Sequence, residues 1–276
     1  SFATQGHIGE VIVNPYSIAP LTAIIRNGGY ELTEATVRIV PKPQGQEIKY
    51  KVSRSELLTH AGIPVFGLYP DYMNTVETTY TRKFHGKTEK FTDTYKIYAA
   101  PVYHEVQYAK ATRAVWNNPM GGAMEWNFYP QNAIIDTKGE VRWYMHVEPI
   151  YNVETIYHSG VMMGLQQDED GNLTWGYGQR YVKYDLMGRE IYNRRLPVGY
   201  SDFSHSLDNA QNGHSFIRVA SSDHRRADGK RVHTVRDVIA EIDQNGKVVD
   251  EWRLWEILDP YRDNVMKVLD QGAVCL

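Results

Sequence analysis

Cysteine is nearly missing from this chain of 276 residues. Cys275 stands alone, so the chain forms no internal disulfide and builds no cysteine-rich zinc site. An excess of charge of one sign is missing as well: 30 Lys and Arg face 33 Asp and Glu, for a formal net charge of −3. The cations are scattered, which removes the electrostatic footprint of a nucleic-acid binder. No stretch approaches the roughly 18 apolar residues of a membrane helix, and the opening SFATQGHIGE has neither a charged n-region nor an apolar h-region. No phosphate loop is present, because MGGAM at 120–124 lacks the Lys and Ser/Thr that would hold phosphates. No G-x-S-x-G elbow occurs, and the ten histidines form no H-x-H, H-x-x-x-H or H-E-x-x-H pair. The expectation is therefore an activity without nucleotide, metal or other cofactor.

What the sequence has is β pattern. The runs VIV (11–13), LTAIIR (21–26), ATVRIV (35–40), EIKYKV (47–52) and PVFGLY (64–69) are β-branched or aromatic and are separated by NPYS, RNGGY and KPQGQ. TVETTYTRKFHGKTEKFTDTYKIYA reads as two long strands flanking an HGK turn. Six or seven strands in the first hundred residues predict an immunoglobulin-like β-sandwich over 1–100.

From about residue 101 a longer element recurs, as AIIDTKGEVRWYM (133–145), VKYDLMGREIYNRRL (182–196) and IAEIDQNGKVVDEWRL (239–254). Its glycines fall at 139, 188 and 246, giving spacings of 188 − 139 = 49 and 246 − 188 = 58. That is the period of β-propeller blades with insertions. The Asp and Gly of each unit are expected to serve turn geometry, the Gly by accepting positive φ and the Asp by capping the turn's backbone donors. Residues 101–276 are thus read as about three blades of an incomplete propeller, with two short helical stretches between Leu254 and Leu269 inserted among them. Three blades do not close a ring, Ser1 is not Met, and the chain stops on the apolar GAVCL. We read it as part of a longer protein.

SDFSHSLDNAQNGHSF (201–216) holds the histidine of greatest interest. His205 precedes the NG turn of a candidate blade, and the innermost strand of a blade comes first. Position alone leaves two readings, a funnel-facing ligand group or a buried histidine that holds the blade together.

The segments VIVNPYSIAPLTAIIRNGGYEL, GIPVFGLYPDYMNTV, AIIDTKGEVRWYM, YVKYDLMGREI with LPVGYSDFSHSLD, VRDVIAEIDQNGKVVDEW and ILDPYRD with LDQGAVC occur in order along nearly the whole chain. Together they resemble the bacterial arylsulfate sulfotransferases. The resemblance implies an all-β protein, an N-terminal sandwich followed by a six-bladed propeller, that is periplasmic and homodimeric. It implies transfer of a sulfuryl group from a phenolic sulfate ester to a phenol by a ping-pong route through a sulfohistidine, without a nucleotide sulfate donor. On this reading His205, in DFSH, is a catalytic residue lining the pocket, and Trp126, in EWNFYP, belongs to the aromatic surround of the phenol. The resemblance puts the nucleophilic histidine beyond Leu276, so the 276-residue chain alone is expected to be inactive. This chain is also shorter than the family between about Val106 and Trp126. The alternative is a sandwich and partial propeller that binds or adheres without turnover.

Overall fold

The computed structural model describes residues 2–5, 8–102, 133–146, 163–201, 207–210, 212–221, 224–225, 231–235, 238–253 and 273–275. The chain divides into two compact units, Ser1–His146 and Val147–Leu276.

The first unit holds β1 (Phe2–Gln5), β2 (Val11–Val13), β3 (Ala23–Arg26), β4 (Glu31–Ile39), β5 (Ile48–Val52), α1 (Arg54–His60), β6 (Gly62–Val65), β7 (Tyr72–Phe84), β8 (Lys87–Ala99), β9 (Ile134–Ile135) and β10 (Val141–Trp143). A five-stranded sheet runs β1-β8-β7-β4-β5, and a three-stranded one runs β2-β3-β6, all pairings antiparallel. The alternation in the sequence is what builds the layers. Ala35, Val37 and Ile39 on β4, Val76 and Tyr80 on β7, and Tyr95 and Ile97 on β8 point to one face. There they meet Val11, Ala23, Ile25, Ile63 and Val65 from the smaller sheet in one core. On the edge strand β5 the alternation leaves Lys49 and Lys51 in solvent.

The predicted long hairpin is β7–β8, in register from Tyr72↔Ala99 to Phe84↔Lys87. His85 and Gly86 both take positive φ, 49° and 74°, the requirement of a two-residue turn whose twist matches its strands. α1, which the β pattern did not suggest, has its own signal. Ser53 Oγ accepts from the Glu56 amide at 3.1 Å, and Glu56 Oε2 accepts from the Ser53 amide at 3.0 Å. That reciprocal pair is written in the sequence as S-x-x-E.

The GLYPDYMN stretch, one carrier of the family resemblance, is absorbed by packing. Asn74, fully buried, accepts from the Tyr69 amide and donates to the Tyr69 and Tyr72 carbonyls, closing the loop between β6 and β7. Gly67 sits at φ 84°, and a Cβ there would lie 2.5 Å from Ile48 Cδ1. Against this loop packs Arg142 of β10, only 2% exposed. Its Nε donates to Gly67 O, its Nη1 to Gln46 O and to Asp136 Oδ2, each at 2.9 Å, and its guanidinium lies 3.8 Å from the Tyr69 ring centroid. Val141 and Tyr144 join the sandwich core beside it.

The second unit holds β11 (Met163–Gln167), β12 (Leu173–Tyr177), β13 (Arg180–Tyr184), β14 (Glu190–Arg195), β15 (Tyr200–Ser201), β16 (Leu207–Asn209), β17 (Ser215–Ser221), β18 (His224–Arg225), β19 (Arg231–Val235), β20 (Val238–Ile242), β21 (Val248–Arg253) and β22 (Ala273–Cys275). β11-β12-β13-β14 is a four-stranded antiparallel meander. In a second sheet β17-β20-β21 continue from an edge formed in turn by β15 and β16, both antiparallel to β17. A third sheet, β18-β19-β22, includes one parallel pairing, β19 with β22. The helical stretches expected between Leu254 and Leu269 lie outside the described residues.

The three Asp-to-Gly turns have the predicted geometry. Asp136, Asp185 and Asp243 each accept two backbone N–H groups on one carboxylate oxygen, from positions two and four residues on. The glycine of each turn has φ of 82–85°. The same backbone pattern recurs at Asp168–Asn172 and Ala210–His214. In the latter Asn212 accepts from the His214 amide, so a turn of this kind forms without the leading Asp.

Candidate functional site

His205 and Trp126 both lie outside the described residues. What is described is the frame on either side of His205. Ser201 pairs with Ala220 of β17, and Leu207 pairs with Ile217 of the same strand. Residues 202–206, with His205 among them, fall between these two pairings in the sequence and lie outside the described residues.

Both ends of that stretch are held. Upstream, the Tyr200 hydroxyl donates to Glu251 Oε2 on β21, and Arg253 Nε donates to Glu251 Oε1 at 2.7 Å. The Tyr200 hydrogen bond, joined by Arg253, holds the Glu251 carboxyl below its ordinary value despite partial burial. Burial, followed by the same bond, pushes the Tyr200 phenol up to about 12. Downstream, Asn209 meets the first meander. Its amide N–H donates to Gln166 Oε1 at 2.9 Å, its Nδ2 to Thr174 Oγ1 at 2.8 Å, and its Oδ1 accepts from Ser215 Oγ at 3.0 Å. Gln166 Nε2 donates in turn to Asp208 Oδ1 at 3.3 Å.

Other charged groups of this unit are tied up structurally. Lys183 Nζ reaches Asp168 at 2.9 Å and Asp170 at 2.6 Å, and these bonds raise its pKa against the opposing effect of burial. His214 Nδ1 lies 2.8 Å from Glu241 Oε1. Among the described residues no group of three or more His, Cys, Asp or Glu has the arrangement of a metal site. In the first unit a cavity of about 220 Å³, lined by Arg82, Phe84, His85, Lys87 and Glu89 at the β7–β8 hairpin tip, brings together no nucleophile with a base. Reading along the sequence did not single out the contact between Gln166 and Asn209. The one trace of them is that Asn209 stands immediately before the AQNGH turn, at the end of the strand that follows His205.

A sandwich followed by antiparallel meanders with Asp-capped turns defines an all-β protein of two modules, of which the first is immunoglobulin-like. The chain belongs to the arylsulfotransferase family: the Arylsulfotransferase (ASST) model matches residues 75–274 and the Arylsulfotransferase Ig-like domain matches residues 10–100. It is 31% identical over 314 aligned positions to the arylsulfate sulfotransferase AssT of Lelliottia amnigena, and 32% identical over 318 to that of Escherichia coli O6:H1. Each alignment covers 98% of this chain and 52% of the relative, so the chain spans about half the length of the curated relatives it matches. The first alignment is also longer than the chain. At least 314 − 276 = 38 of its positions have a residue in the relative and none here.

Proposed function

We propose that the protein to which this chain contributes its immunoglobulin-like domain and following meanders is an arylsulfate sulfotransferase. The observation that carries the reading is the tiling of the chain by the two family modules, in order, from residue 10 to residue 274. In this reading the β11-β12-β13-β14 sheet and the β16-β17-β20-β21 sheet are blades of a six-bladed propeller that follows a sandwich over 1–100. The reaction is ping-pong and needs no nucleotide donor. A histidine nitrogen attacks the sulfur of a phenolic sulfate, the N–S bond forms, the S–O bond to the phenol breaks, and the departing phenolate takes a proton. A second phenol then attacks the sulfohistidine, loses its proton and restores the free imidazole. The attacking histidine comes from residues the 276-residue chain does not contain, and the chain alone is inactive. His205 donates a hydrogen bond to a sulfuryl oxygen or a proton to the leaving phenolate, the role an imidazole fills near neutral pH. Trp126 contributes to the aromatic wall against the phenol. The protein works in the periplasm as a homodimer.

The test uses the gene product at the length of its relatives, with 4-nitrophenyl sulfate as donor and phenol as acceptor. Without acceptor, a burst of 4-nitrophenol equal to the enzyme is expected, and His205→Asn is expected to lower turnover by about 10²-fold, most for poorly ionising phenols. Absence of transfer, or a requirement for a nucleotide sulfate, would overturn the reading. A loss of stability with turnover intact in His205→Asn would make His205 a structural histidine.

A further inference from the structure

We infer that the tip of the β7–β8 hairpin binds a small aromatic anion, a single ring bearing one acid group. Alternation places Tyr80, Arg82 and Phe84 of β7 on the face that carries the core, and Lys87, Glu89 and Phe91 of β8 on the same face. The core ends at Tyr80 and Phe91, direct cross-strand partners whose stacked rings have centroids 5.8 Å apart. The hairpin runs on past them. Two further cross-strand pairs lie on this face, Arg82 with Glu89 and Phe84 with Lys87, and exposure rises along them until Phe84 is 51% exposed. With His85 of the turn, these four residues line the cavity of about 220 Å³.

The walls supply the two things such a ligand needs. Phe84 stands edge-to-face against Tyr30, at 5.2 Å between centroids, and against His85, at 4.0 Å, which fixes its ring while leaving half of it in solvent. A planar ligand covers that apolar surface by the same edge-to-face or offset packing. The Arg82 guanidinium is held between the Tyr30 and Phe91 rings, 4.0 and 4.4 Å from their centroids, and so puts a positive charge at a fixed place beside the cavity. Lys87 is exposed, has no ion pair among the described residues, and adds a second cation on a long stem. Against these two cations stands one carboxylate, Glu89, for an excess of 2 − 1 = 1, and the His85 imidazole offers an N–H beside them. Pockets for drug-sized ligands run to about 300–1,000 Å³, so this smaller one selects a single ring. A ring without the charge, or a charge without the ring, uses only half of what the cavity presents. The site stands whether or not the whole protein moves sulfuryl groups.

The experiment labels the protein, at the length of its relatives, with 4-fluorophenylalanine and follows fluorine NMR, with Phe84→Leu identifying the Phe84 signal. Benzenesulfonate is expected to shift that signal saturably, with a Kd of about 10 mM or tighter. Methanesulfonate, which has the charge alone, and benzyl alcohol, which has the ring alone, should bind about 10-fold more weakly or less. Lys87→Glu should weaken benzenesulfonate by about 5-fold, and Glu89→Gln, which removes the opposing charge, should tighten it by about 2-fold. Lys83→Glu is the control. It makes the same change of charge beside Phe84 but on the opposite face of the hairpin, and should alter binding by less than about 2-fold. All three positions are exposed, and unchanged signals from the other phenylalanines will show that each variant keeps its fold. The inference is overturned if Phe84 shows no saturable shift by about 50 mM benzenesulfonate, or if methanesulfonate or benzyl alcohol matches it. Equal weakening by Lys83→Glu and Lys87→Glu would also overturn it, because general surface charge would then be the whole effect.

Discussion

At the scale of single residues the clearest case is Arg142. It has the charge of a surface residue and the burial of a core one, and its partner Asp136 is equally hidden, each side chain 2% exposed. Burial opposes ionisation of Asp136, but the Arg142 bond and the Glu140 and Lys138 amides outweigh it and hold the carboxyl below the ordinary range. Removing the cation strands the anion. Arg142→Met is therefore expected to cost about 3–5 kcal/mol near neutral pH. The pH dependence follows from the direction of the shift. A depressed carboxyl contributes stability that is complete above its unfolded value of about 3.9 and is lost as pH falls through its lower folded value. The gap between wild type and Arg142→Met should thus narrow below about pH 4, which urea melts at neutral and acid pH would check. A constant gap across that range would mean that Arg142 stabilises through Tyr69 and the Gly67 and Gln46 carbonyls, without a contribution from the Asp136 charge.

At the scale of elements, α1 depends on its cap. It has seven residues, and Leu57 is its buried one, with Leu58 67% exposed. A helix this short has little propensity to draw on. Ser53→Ala should lower stability by about 1 kcal/mol, and Ser53→Asp should restore most of it, measured by chemical denaturation. Equal stability of Ser53→Ala and wild type would show that packing of Leu57 suffices. Much of this level is legible in the sequence. The long hairpin announces itself by alternation and HGK, and the three turns by Asp and Gly at fixed offsets. The turn at Asp168–Asn172 escapes because Asp168 is followed by two more acids, whereas NG marks the Ala210–His214 turn without a leading Asp. α1 escapes because its seven residues sit among strands, where the S-x-x-E signal is easily read as loop. The Gln166–Asn209 contact is illegible for a deeper reason. It joins residues 43 positions apart (209 − 166 = 43), and neither has a chemistry that singles it out along the chain.

At the scale of the whole molecule, the segment 133–146 belongs physically with the sandwich. Val141 and Tyr144 lie in its core, His146 N–H donates to Ile18 O at 2.7 Å, and Thr137 bonds Gln46 twice. A fragment ending at His146 should therefore melt well above one ending at Val102, by an amount that reflects the lost burial of two large side chains and three Arg142 bonds. Coincident melting would show that the sandwich does not draw on the later segment. The edge of the larger sheet bears on how one molecule meets another. Among the described residues β5 pairs on one side only, with β4, and its outer side is an open template for a strand of a neighbouring chain. Lys49 and Lys51 put an ammonium group at each outward position of that template. A second copy approaching edge to edge would bring like charges together and would have to strip water from them before its first hydrogen bond formed. The two lysines thus act as a solubility guard, keeping a sheet with a strand to spare from growing into a fibril while the chain is still folding.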